Sequence, residues 1–354
     1  MKKFISLIAT ALIAIGLPLA AQSQESPKVI RIAFSSAGVG GKPAAASGLL
    51  ATAHQRGILE KEFAKDGIKV EWTFFVGAGP ATNEALALKK IDFATQGDLP
   101  LVVARANGLR TRILLTDSRF SRNYVVVPTA STIQTLEDLR GKKITVQKGT
   151  SGHLTWNRLL TQVGLKESDL KVVDMISDSQ KAALSTGDVD AALQSSTDLV
   201  IRGLVRRIYK VEDPKLSAPS QVWVAEEFEA KYPHIVQRFV TTLLRESVWA
   251  VDEKNRDELF RLWSKTGNPY SDYKEDFKGW ALRDRLNPLI DDYYTNSLNK
   301  SIAEVKQFRF VRRDVTADGW IEPKYQQAAL KELKLEGFWD EFDTDGKRKK
   351  AAGK

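Results

Sequence analysis

The sequence contains no cysteine, and only three histidines and two methionines occur among its 354 residues. The absence of cysteine excludes a disulfide framework, a thiolate metal site, a cysteine nucleophile and a lipidated amino-terminal cysteine. The histidines stand at positions 54, 153 and 234, and none has the H-E-x-x-H spacing of a zinc protease. We therefore predict no metal and no cofactor, and we do not expect an enzyme.

Glycine-rich catalytic motifs are also missing. The segment 149–152 reads G-T-S-G and lacks the G-x-S-x-G order of a hydrolase nucleophile. The segment 38–42 reads G-V-G-G-K, but Ser36 stands where a phosphate-binding loop needs its first glycine, and Pro43 follows the lysine. These mismatches argue against nucleophilic hydrolysis and against nucleotide binding through that loop.

A long apolar run is present only near the amino terminus. Lys2 and Lys3 precede the apolar run 4–15, and the small or polar residues 21–23 provide a suitable cleavage site. The run is shorter than the roughly 20 residues that span a bilayer. We predict that residues 1–23 are a cleaved export signal.

The excess of basic residues is concentrated at the two ends of the chain. The formal net charge is +9, but two lysines lie in residues 1–23 and five basic residues follow Gly346, so residues 24–346 carry only +2. Nucleic-acid binding requires a basic face on the fold itself. We therefore expect no nucleic-acid partner, and we predict a disordered basic tail at 343–354.

Strand and helix patterns alternate through the first two thirds of the chain. Helix patterns begin near Gly79, Asp98, Ser151 and Ser177. Two helix–turn–strand units at 85–96 and 183–194 share small and apolar residues at a spacing of 98 residues. Alternating units of this kind predict an α/β protein with parallel sheets flanked by helices, in two lobes built on one plan. Apolar segments predict strands at 29–34, 68–75, 91–94, 112–116, 124–127, 143–147, 172–175 and 189–193.

The loops predicted at the carboxyl ends of the strands are rich in glycine, serine and threonine. Four of them lead directly into helices, whose first amides are unpaired and carry about half a positive charge. Such helix ends bind oxyanions, although ordinary capping explains any single loop equally well. Ligands of parallel sheets bind beyond the carboxyl ends of the strands, so we expect a small-anion site there. These donor-rich loops are 35–41, 77–80, 95–98, 148–152 and 194–197.

Several further segments carry a family resemblance. They are R-I-A-F at 31–34, G-I-L-E-K at 57–61 with G-I-K-V-E-W at 67–72, G-P through A-L at 79–86, I-D-F-A at 91–94 with G-D-L-P at 97–100, L-E-D-L-R-G-K-K-I-T-V at 136–146 with K-G-T at 148–150, and G-D-V-D-A at 187–191. In this order and spacing the chain resembles the periplasmic solute-binding proteins of ABC importers. Within their nitrate/sulfonate/taurine group it looks most like the aliphatic sulfonate-binding proteins.

The resemblance implies a two-lobed periplasmic binding protein fold, type II-like, in which two crossovers near 118–124 and 218–225 join mostly parallel sheets flanked by helices. We expect lobe I at 24–120 plus 223–342 and lobe II at 121–222. The resemblance also implies a monomer in the periplasm that catalyses no reaction. Such a protein captures a small organic anion, here an aliphatic or other organic sulfonate, and delivers it to permease subunits in the inner membrane.

Family position places the loops 35–42, 97–99, 149–153 and 195–197 along the cleft. Asp98 would contribute its backbone amide, and Arg122, at a crossover, could form a charge-assisted contact. Aromatic candidates for an apolar wall are Phe34, Phe120 and Trp156. The predicted ligand-binding residues are Ser35, Ser36, Gly41, Gly97, Asp98, Leu99, Arg122, Thr150, Ser151, His153, Ser195 and Ser196.

One segment departs from the family pattern. Relatives often carry an aromatic residue followed by Asp-Pro after the Val-Asp-Ala strand, whereas this chain has Q-S-S-T-D at 194–198. The more polar wall favours a larger or more polar sulfonate. Taurine, nitrate and a pyrimidine vitamin precursor are alternative ligands. An enzyme on the same fold is a remote alternative, and a sensory protein that presents ligand to a receptor would have the same sequence features.

Overall fold

Two five-stranded sheets form the centre of the molecule. The computed structural model describes residues 25–194 and 196–349. The first sheet consists of β1 (Val29–Phe34), β2 (Lys69–Phe74), β3 (Phe93–Gln96), β4 (Thr111–Ser118) and β10 (Ser220–Ala225), in the order β2-β1-β3-β10-β4. The second consists of β5 (Asn123–Pro128), β6 (Lys143–Val146), β7 (Lys171–Asp174), β8 (Ala191–Leu193) and β9 (Val205–Val211), in the order β7-β6-β8-β5-β9.

The two sheets have the same arrangement of strands. β1 pairs in parallel with β2 and β3, while β10 is antiparallel to β3 and β4. In the second sheet β6 is parallel to β7 and β8, and β5 is antiparallel to β8 and β9. Each sheet is therefore mostly parallel with one reversed strand, and the strands β3 and β8 of the 98-residue echo occupy the same place. The predicted α/β class and the common plan of the two lobes are confirmed.

Helices cover both sheets and continue as a large carboxyl-terminal layer. Short 3₁₀ turns occupy Val39–Gly41, Glu137–Leu139, Glu167–Asp169 and Glu253–Asn255. The α-helices are α1 (Leu49–Gln55), α2 (Ile58–Ala64), α3 (Ala78–Ala87), α4 (Asp98–Ala106), α5 (Ser151–Gln162), α6 (Ser177–Thr186), α7 (Thr197–Ile201), α8 (Glu226–Lys231), α9 (Pro233–Val251), α10 (Arg256–Ser264), α11 (Tyr270–Asp276), α12 (Leu282–Arg285), α13 (Asp292–Gln307) and α14 (Lys324–Glu332).

Helix α9 shows how apolar periodicity leads to packing. Pro233 lies in its first turn, where the missing amide has no intrahelical partner to lose. Ile235, Phe239 and Leu243, spaced by four residues, are buried in the core of the first lobe. Each such side chain contributes about 1.5–3 kcal/mol through the burial of apolar surface. These positions form the apolar face of an amphipathic helix, and Val248 packs half-buried at the edge of the same core.

Two chain connections join the sheets, one from β4 to β5 and the other from β9 to β10. The first coincides with the crossover predicted at 118–124. The second predicted crossover, 218–225, mostly forms β10 within the first sheet. The reason is burial: Val222, Trp223 and Val224 are fully buried in a strand that pairs on both sides. The predicted lobe boundary at residue 222 therefore falls inside a strand of the first sheet.

The sequence predicts a disordered tail at 343–354, but the described part of that segment folds back onto the body. A side-chain nitrogen of Arg348 lies 2.8 Å from a carboxylate oxygen of Asp284. The Lys349 ammonium lies 2.8 Å from a carboxylate oxygen of Asp292. Acidic groups on α12 and α13 thus neutralise basic residues that look unpaired in the sequence, and this pairing explains why residues 343–349 pack against the body.

The predicted export signal at 1–23 lies outside the described residues. Within residues 25–194 and 196–349, no helix is both long enough and apolar enough to cross a bilayer.

Candidate functional site

A small cavity lies at the carboxyl edge of the second sheet, between the first turns of α5 and α6. Its volume is about 140 Å³, well below the roughly 300–1,000 Å³ of pockets for drug-sized ligands. Among the described residues that line it, none is charged. The cavity therefore has the size and polarity for a small head group. Its lining consists of Thr145, Val146, Gln147, Thr150, Gly152, Trp156, Ser177, Gln180, Leu193 and Gln194.

Both helices that face the cavity begin without a capping side chain. Thr150 precedes α5 and Ile176 precedes α6, and neither side chain accepts a hydrogen bond from the helix. The Thr150 hydroxyl instead donates to the Gln147 carbonyl at 2.7 Å. The first amides of both helices, at the positive ends of the helix dipoles, can therefore donate to an anion. Side-chain capping, the alternative explanation for these loops, does not account for α5 and α6.

Several buried polar atoms in the segments that form the cavity have no hydrogen-bond partner within the described part of the chain. They are the hydroxyls of Thr145, Ser151 and Ser196 and both amide atoms of Gln194. Thr145 and Ser196 are fully buried, and Gln194 is 8% exposed. Buried polar groups are almost always paired, and an unpaired one costs about 1–3 kcal/mol. A ligand that pairs with these groups removes that cost.

Loops from the two lobes meet directly above this edge of the sheet. The Gly40 amide of the first lobe donates to the Asp178 carboxylate at 2.9 Å. From the second lobe, the Gln147 side chain donates to the Val76 carbonyl at 3.1 Å. These bonds close the cleft between the lobes over the cavity.

Two glycines allow the lobes to approach each other closely. A Cβ atom at Gly97 would lie 1.9 Å from the Ser151 hydroxyl oxygen, and one at Gly149 would lie 2.9 Å from Cγ of Pro80. A larger residue at either position needs the lobes to separate. Four of the five donor-rich loops therefore meet between the lobes, and the fifth contributes Gln194 to the cavity.

Four of the predicted binding residues lie at or beside the cavity. Thr150 lines it. Ser151 stands between the lining residues Thr150 and Gly152, and Ser196 is two positions after the lining residue Gln194. Gly97 faces Ser151 from the first lobe. Ser195 falls outside the described residues.

Several other predicted residues have different environments. The Ser35 hydroxyl bonds to the Thr82 hydroxyl at 2.8 Å within the first lobe. Ser36 and Gly41 are exposed, and Leu99 is fully buried in the apolar core of the first lobe. The structure does not bring these four predicted residues to the cavity.

The two arginines at the first crossover, Arg119 and Arg122, bind other parts of the protein. Arg122 donates at 2.9 Å to the carbonyls of Glu275 and Lys278. Arg119 is fully buried, and its guanidinium lies 2.7 Å from the Asp291 carboxylate. Both side chains tie the crossover to the carboxyl-terminal layer, so the prediction that Arg122 contacts the ligand gains no support from its position.

The Asp98 carboxylate belongs to a buried ion pair, and the predicted role of its backbone amide stays a prediction. Its carboxylate accepts from the Arg158 guanidinium at 3.0 Å and from the Ser301 hydroxyl at 2.9 Å. Arg158 also lies 2.7 Å from the Glu304 carboxylate. Burial by itself would lower the pKa of Arg158, but the two carboxylates outweigh it and raise that pKa. The pair joins α4 to α5, and sequence reasoning missed it because 60 residues separate the partners.

His153 anchors the loop that precedes α5. Its Nδ1 accepts from the Gly149 amide at 3.3 Å, and its Nε2 lies 2.8 Å from the Glu167 carboxylate. The ring packs edge-on against Phe310. The hydrogen bond from His153 holds the pKa of Glu167 below its usual range. Because both ring nitrogens are used, His153 fixes the position of the loop and has no free ring nitrogen for a ligand.

Sequence reasoning did not select several polar residues that line the cavity. For Gln194, the available signal was its place in the segment that departs from the family pattern. For Thr145, the signal was a hydroxyl between the apolar Ile144 and Val146 of a buried strand. Gln180, in the first turn of α6, has no such signal.

The three aromatic candidates for an apolar wall separate in the structure. Trp156 lines the cavity. Phe34 stacks on Trp72 in the first lobe, with ring centroids 5.6 Å apart. Phe120 stacks on Trp280 near the crossover, with ring centroids 4.8 Å apart. Only Trp156 of these three is placed to contact a ligand in the cavity.

A larger depression, of about 390 Å³, lies at the opposite edge of the first sheet. Its lining includes Arg31 and Asp92, which bond to each other at 3.0 Å. That edge holds the amino ends of the parallel strands, where ligands of such sheets do not usually bind. In the described part of the chain, no group of three or more histidine, aspartate or glutamate side chains is placed to hold a metal ion.

Comparison with known proteins gives a family match over more than half of the chain. A sequence profile described as NMT1/THI5 like matches residues 53–255. A Bacillus subtilis (strain 168) protein named for binding aliphatic sulfonates is 30% identical over 227 residues, which are 61% of this chain and 65% of the relative. An Escherichia coli (strain K12) protein of the same name is 31% identical over 192 residues, 54% of this chain and 56% of the relative. The chain thus spans less than two thirds of the length of these relatives.

Solved structures share the architecture. The periplasmic sulfonate-binding protein of a sulfonate ABC transporter from Methylobacillus flagellatus KT superposes with a TM-score of 0.77 and 31% identity, covering 89% of this chain and 98% of that chain. The desulfurization enzyme DSZB superposes with a TM-score of 0.64 over 87% of this chain and 100% of that chain. Its 20% identity shows the fold alone. The predicted two-lobed periplasmic binding protein fold is confirmed, and the same fold also occurs in an enzyme.

Proposed function

The chain belongs to the NMT1/THI5-like family, and from this premise we propose that it is the substrate-binding component of an ABC importer. In this proposal the protein is exported to the periplasm, captures a small organic sulfonate and delivers it unchanged to the permease subunits. The names of the Bacillus subtilis and Escherichia coli relatives, which refer to aliphatic sulfonates, support this class of ligand.

The observation that carries the proposal is the set of unpaired donors around the cavity. Two helices begin there without capping side chains, and the buried hydroxyls of Thr145, Ser151 and Ser196 have no partner among the described residues. A sulfonate stays ionised at physiological pH and presents three acceptor oxygens, so it needs several donors and no carboxylate. Helix dipoles and neutral donors hold such an anion without a charged side chain, which fits the uncharged lining.

Thermal unfolding with a panel of ligands tests the proposal. The panel contains ethanesulfonate, taurine, nitrate, bicarbonate and a neutral pyrimidine. A ligand at 100 times its Kd stabilises the folded state by about 2.7 kcal/mol, so we expect the midpoint to rise with at least one sulfonate. A rise with only nitrate, bicarbonate or the pyrimidine, or with no member of the panel, would contradict the proposed ligand class.

Two threonine variants locate the site. The Thr145 hydroxyl is buried without a partner in residues 25–194 and 196–349, whereas the Thr155 hydroxyl donates to the Leu216 carbonyl at 3.3 Å. A hydrogen bond to a charged ligand contributes about 1.5–3 kcal/mol, so we expect Thr145→Val to weaken sulfonate binding at least tenfold without loss of ligand-free stability. The matched Thr155→Val control should lose about 1 kcal/mol of stability and keep its affinity. Unchanged binding by the Thr145 variant would place the ligand elsewhere.

An enzyme on this fold is the second candidate, because DSZB shares the architecture. We expect purified protein to return a bound sulfonate chemically unchanged. Mass spectrometry of the ligand and an assay for released sulfite after prolonged incubation measure this, and catalytic release of sulfite would favour the enzyme.

A further inference from the structure

The Gln194 side chain has an unusual combination of burial and isolation. It is 8% exposed, it lines the cavity, and neither its Nε2 nor its Oε1 has a partner within the described part of the chain. The two ends of a glutamine amide are hard to tell apart by shape. Both ends of the Gln194 amide are unpaired here. In either orientation of the amide, its NH₂ group therefore needs an acceptor and its oxygen needs a donor.

An anionic head group pairs with only one of the two polar ends of the Gln194 amide. The amide NH₂ donates to a sulfonate oxygen, but the amide oxygen needs a donor, and a sulfonate has none. The nearby unpaired hydroxyls of Thr145, Ser151 and Ser196 do not reach it. Building on the proposed function, we infer that the ligand carries a hydrogen-bond donor in addition to its sulfonate, and that Gln194 selects for this second group.

The charge of the cavity identifies the kind of donor. A ligand ammonium enclosed there would need a carboxylate partner, and the described lining residues carry no charge. Two acidic side chains close to the cleft are already engaged: Asp98 bonds to Arg158, and Asp178 bonds to the Gly40 amide. The donor is therefore a neutral hydroxyl, and the ligand class is a short hydroxyalkanesulfonate.

The remaining lining fits the carbon spacer of such a ligand. Val146, Trp156 and Leu193 provide apolar surface, and the volume of about 140 Å³ favours a short spacer. The lining thus divides into polar groups, among them the helix starts and Gln194, and three apolar side chains. This division matches a small molecule that has two polar groups joined by a few carbons.

A series of three ligands that differ in one group tests the inference. Ethanesulfonate, 2-hydroxyethanesulfonate and 2-aminoethanesulfonate share the sulfonate and the two-carbon spacer. Isothermal titration of the purified protein should show 2-hydroxyethanesulfonate binding at least about tenfold more tightly than either of the others, because a site built around a ligand hydroxyl rejects analogues that lack it.

A variant of Gln194 tests whether this side chain causes the selectivity for the hydroxyl-bearing ligand. Gln194→Met keeps the length of the side chain and removes both polar atoms, so it should abolish the preference for the hydroxyl-bearing ligand. Gln55→Met is the control, because Gln55 donates to the Ala45 carbonyl at 3.0 Å in the first lobe, away from the cavity. This control should keep the preference of the unaltered protein.

Each outcome has a distinct meaning. Equal affinity of the unaltered protein for ethanesulfonate and 2-hydroxyethanesulfonate would overturn the inference and leave the proposed function standing, because a water molecule would then satisfy the amide oxygen. Tighter binding of 2-aminoethanesulfonate would overturn the inference that the second group of the ligand is a neutral hydroxyl. A preference that persists in the Gln194 variant would overturn the assignment to Gln194. Binding of no sulfonate at all would instead overturn the proposed function. The ligand series decides the ligand class even where the variant does not fold.

Discussion

At the residue scale, the carboxyl group of Asp117 is buried, and burial disfavours its charged form. Its carboxylate is buried at the start of α1, where it accepts from the Leu50 amide at 2.8 Å. Gly48 makes room for it, since a Cβ there would lie 2.0 Å from its Oδ2 atom. Burial raises the pKa of Asp117 from 3.8 to about 6 although neighbouring donors act against this.

This shift predicts a pH dependence of stability. The folded-state pKa lies above the unfolded value, so the carboxyl group does not oppose folding below about pH 4 and destabilises the folded state increasingly between pH 4 and 6. The change amounts to about 3 kcal/mol. We expect Asp117→Asn to remove most of this fall, as measured by urea unfolding from pH 4 to 7. The exposed Asp318→Asn serves as control, and an unchanged profile for the Asp117 variant would contradict the assignment.

Arg158 is a second residue whose charge is buried. It joins α5 to Asp98 of the first lobe and to Glu304 of α13. We expect Arg158→Met to destabilise the protein by about 3–5 kcal/mol, because it leaves Asp98 as a buried charge without its partner. Adding Asp98→Asn should recover a substantial part of that loss in denaturant unfolding. Additive losses in the double variant would show that the two residues do not act as a pair.

At the element scale, substitutions of two glycines at helix starts distinguish an effect on closure of the lobes from an effect on stability. Gly97 and Gly79 both have negative φ, so alanine is allowed by the backbone at either position. A Cβ at Gly97 meets Ser151 of the other lobe, whereas one at Gly79 lies 2.3 Å from Cβ of Pro100 in the same lobe. The first substitution should hinder closure, and the second should disturb the packing of α3 on α4.

We therefore predict opposite results for Gly97→Ala and Gly79→Ala. The Gly97 variant should keep its ligand-free unfolding midpoint and lose about 1–3 kcal/mol of sulfonate binding free energy, the usual cost of overpacking. The Gly79 variant should lose a similar amount of stability. Thermal unfolding and isothermal titration measure the two quantities. Full affinity in the Gly97 variant would mean that closure is not part of binding.

At the scale of the whole molecule, the lobes are joined by two unlike sets of contacts. At the mouth of the cleft, the Gly40–Asp178 and Gln147–Val76 bonds are exposed and cost little to break. Near the crossovers, the Arg158–Asp98 pair is buried, and Leu154 of α5 packs in the core of the first lobe. We therefore expect opening to begin at the mouth, with the two chain connections as hinges.

We predict that the ligand-free protein samples an open form in solution and closes on ligand binding. Small-angle X-ray scattering should show a smaller radius of gyration with a sulfonate than without it. Asp178→Ala, which removes one contact at the mouth, should increase the radius of the ligand-free protein and leave that of the complex nearly unchanged. An identical radius in both states would contradict the hinge motion.

Much of the architecture follows from local pattern. The apolar run at 29–34 has the bounds of β1, and the helix pattern from Ser151 begins where α5 begins. The similar helix–turn–strand units at 85–96 and 183–194 predicted that β3 and β8 take equivalent places in the two sheets. These features depend on periodicity and glycine-rich turns within a few residues, so a single segment contains the information.

The site depended on contacts between distant segments. His153 has the polarity of a ligand contact in the sequence, yet in the fold its ring bonds to Glu167. The Arg158 partner of the Asp98 carboxylate was likewise not predicted. Gln194 and Thr145 carry only weak signals in the sequence, and it is the fold that buries them without partners in the described part of the chain. Chain periodicity decides where strands and helices form, because backbone hydrogen bonding and side-chain alternation act over short distances. Which polar groups remain free for a ligand is decided by packing, because their partners lie on segments tens of residues away.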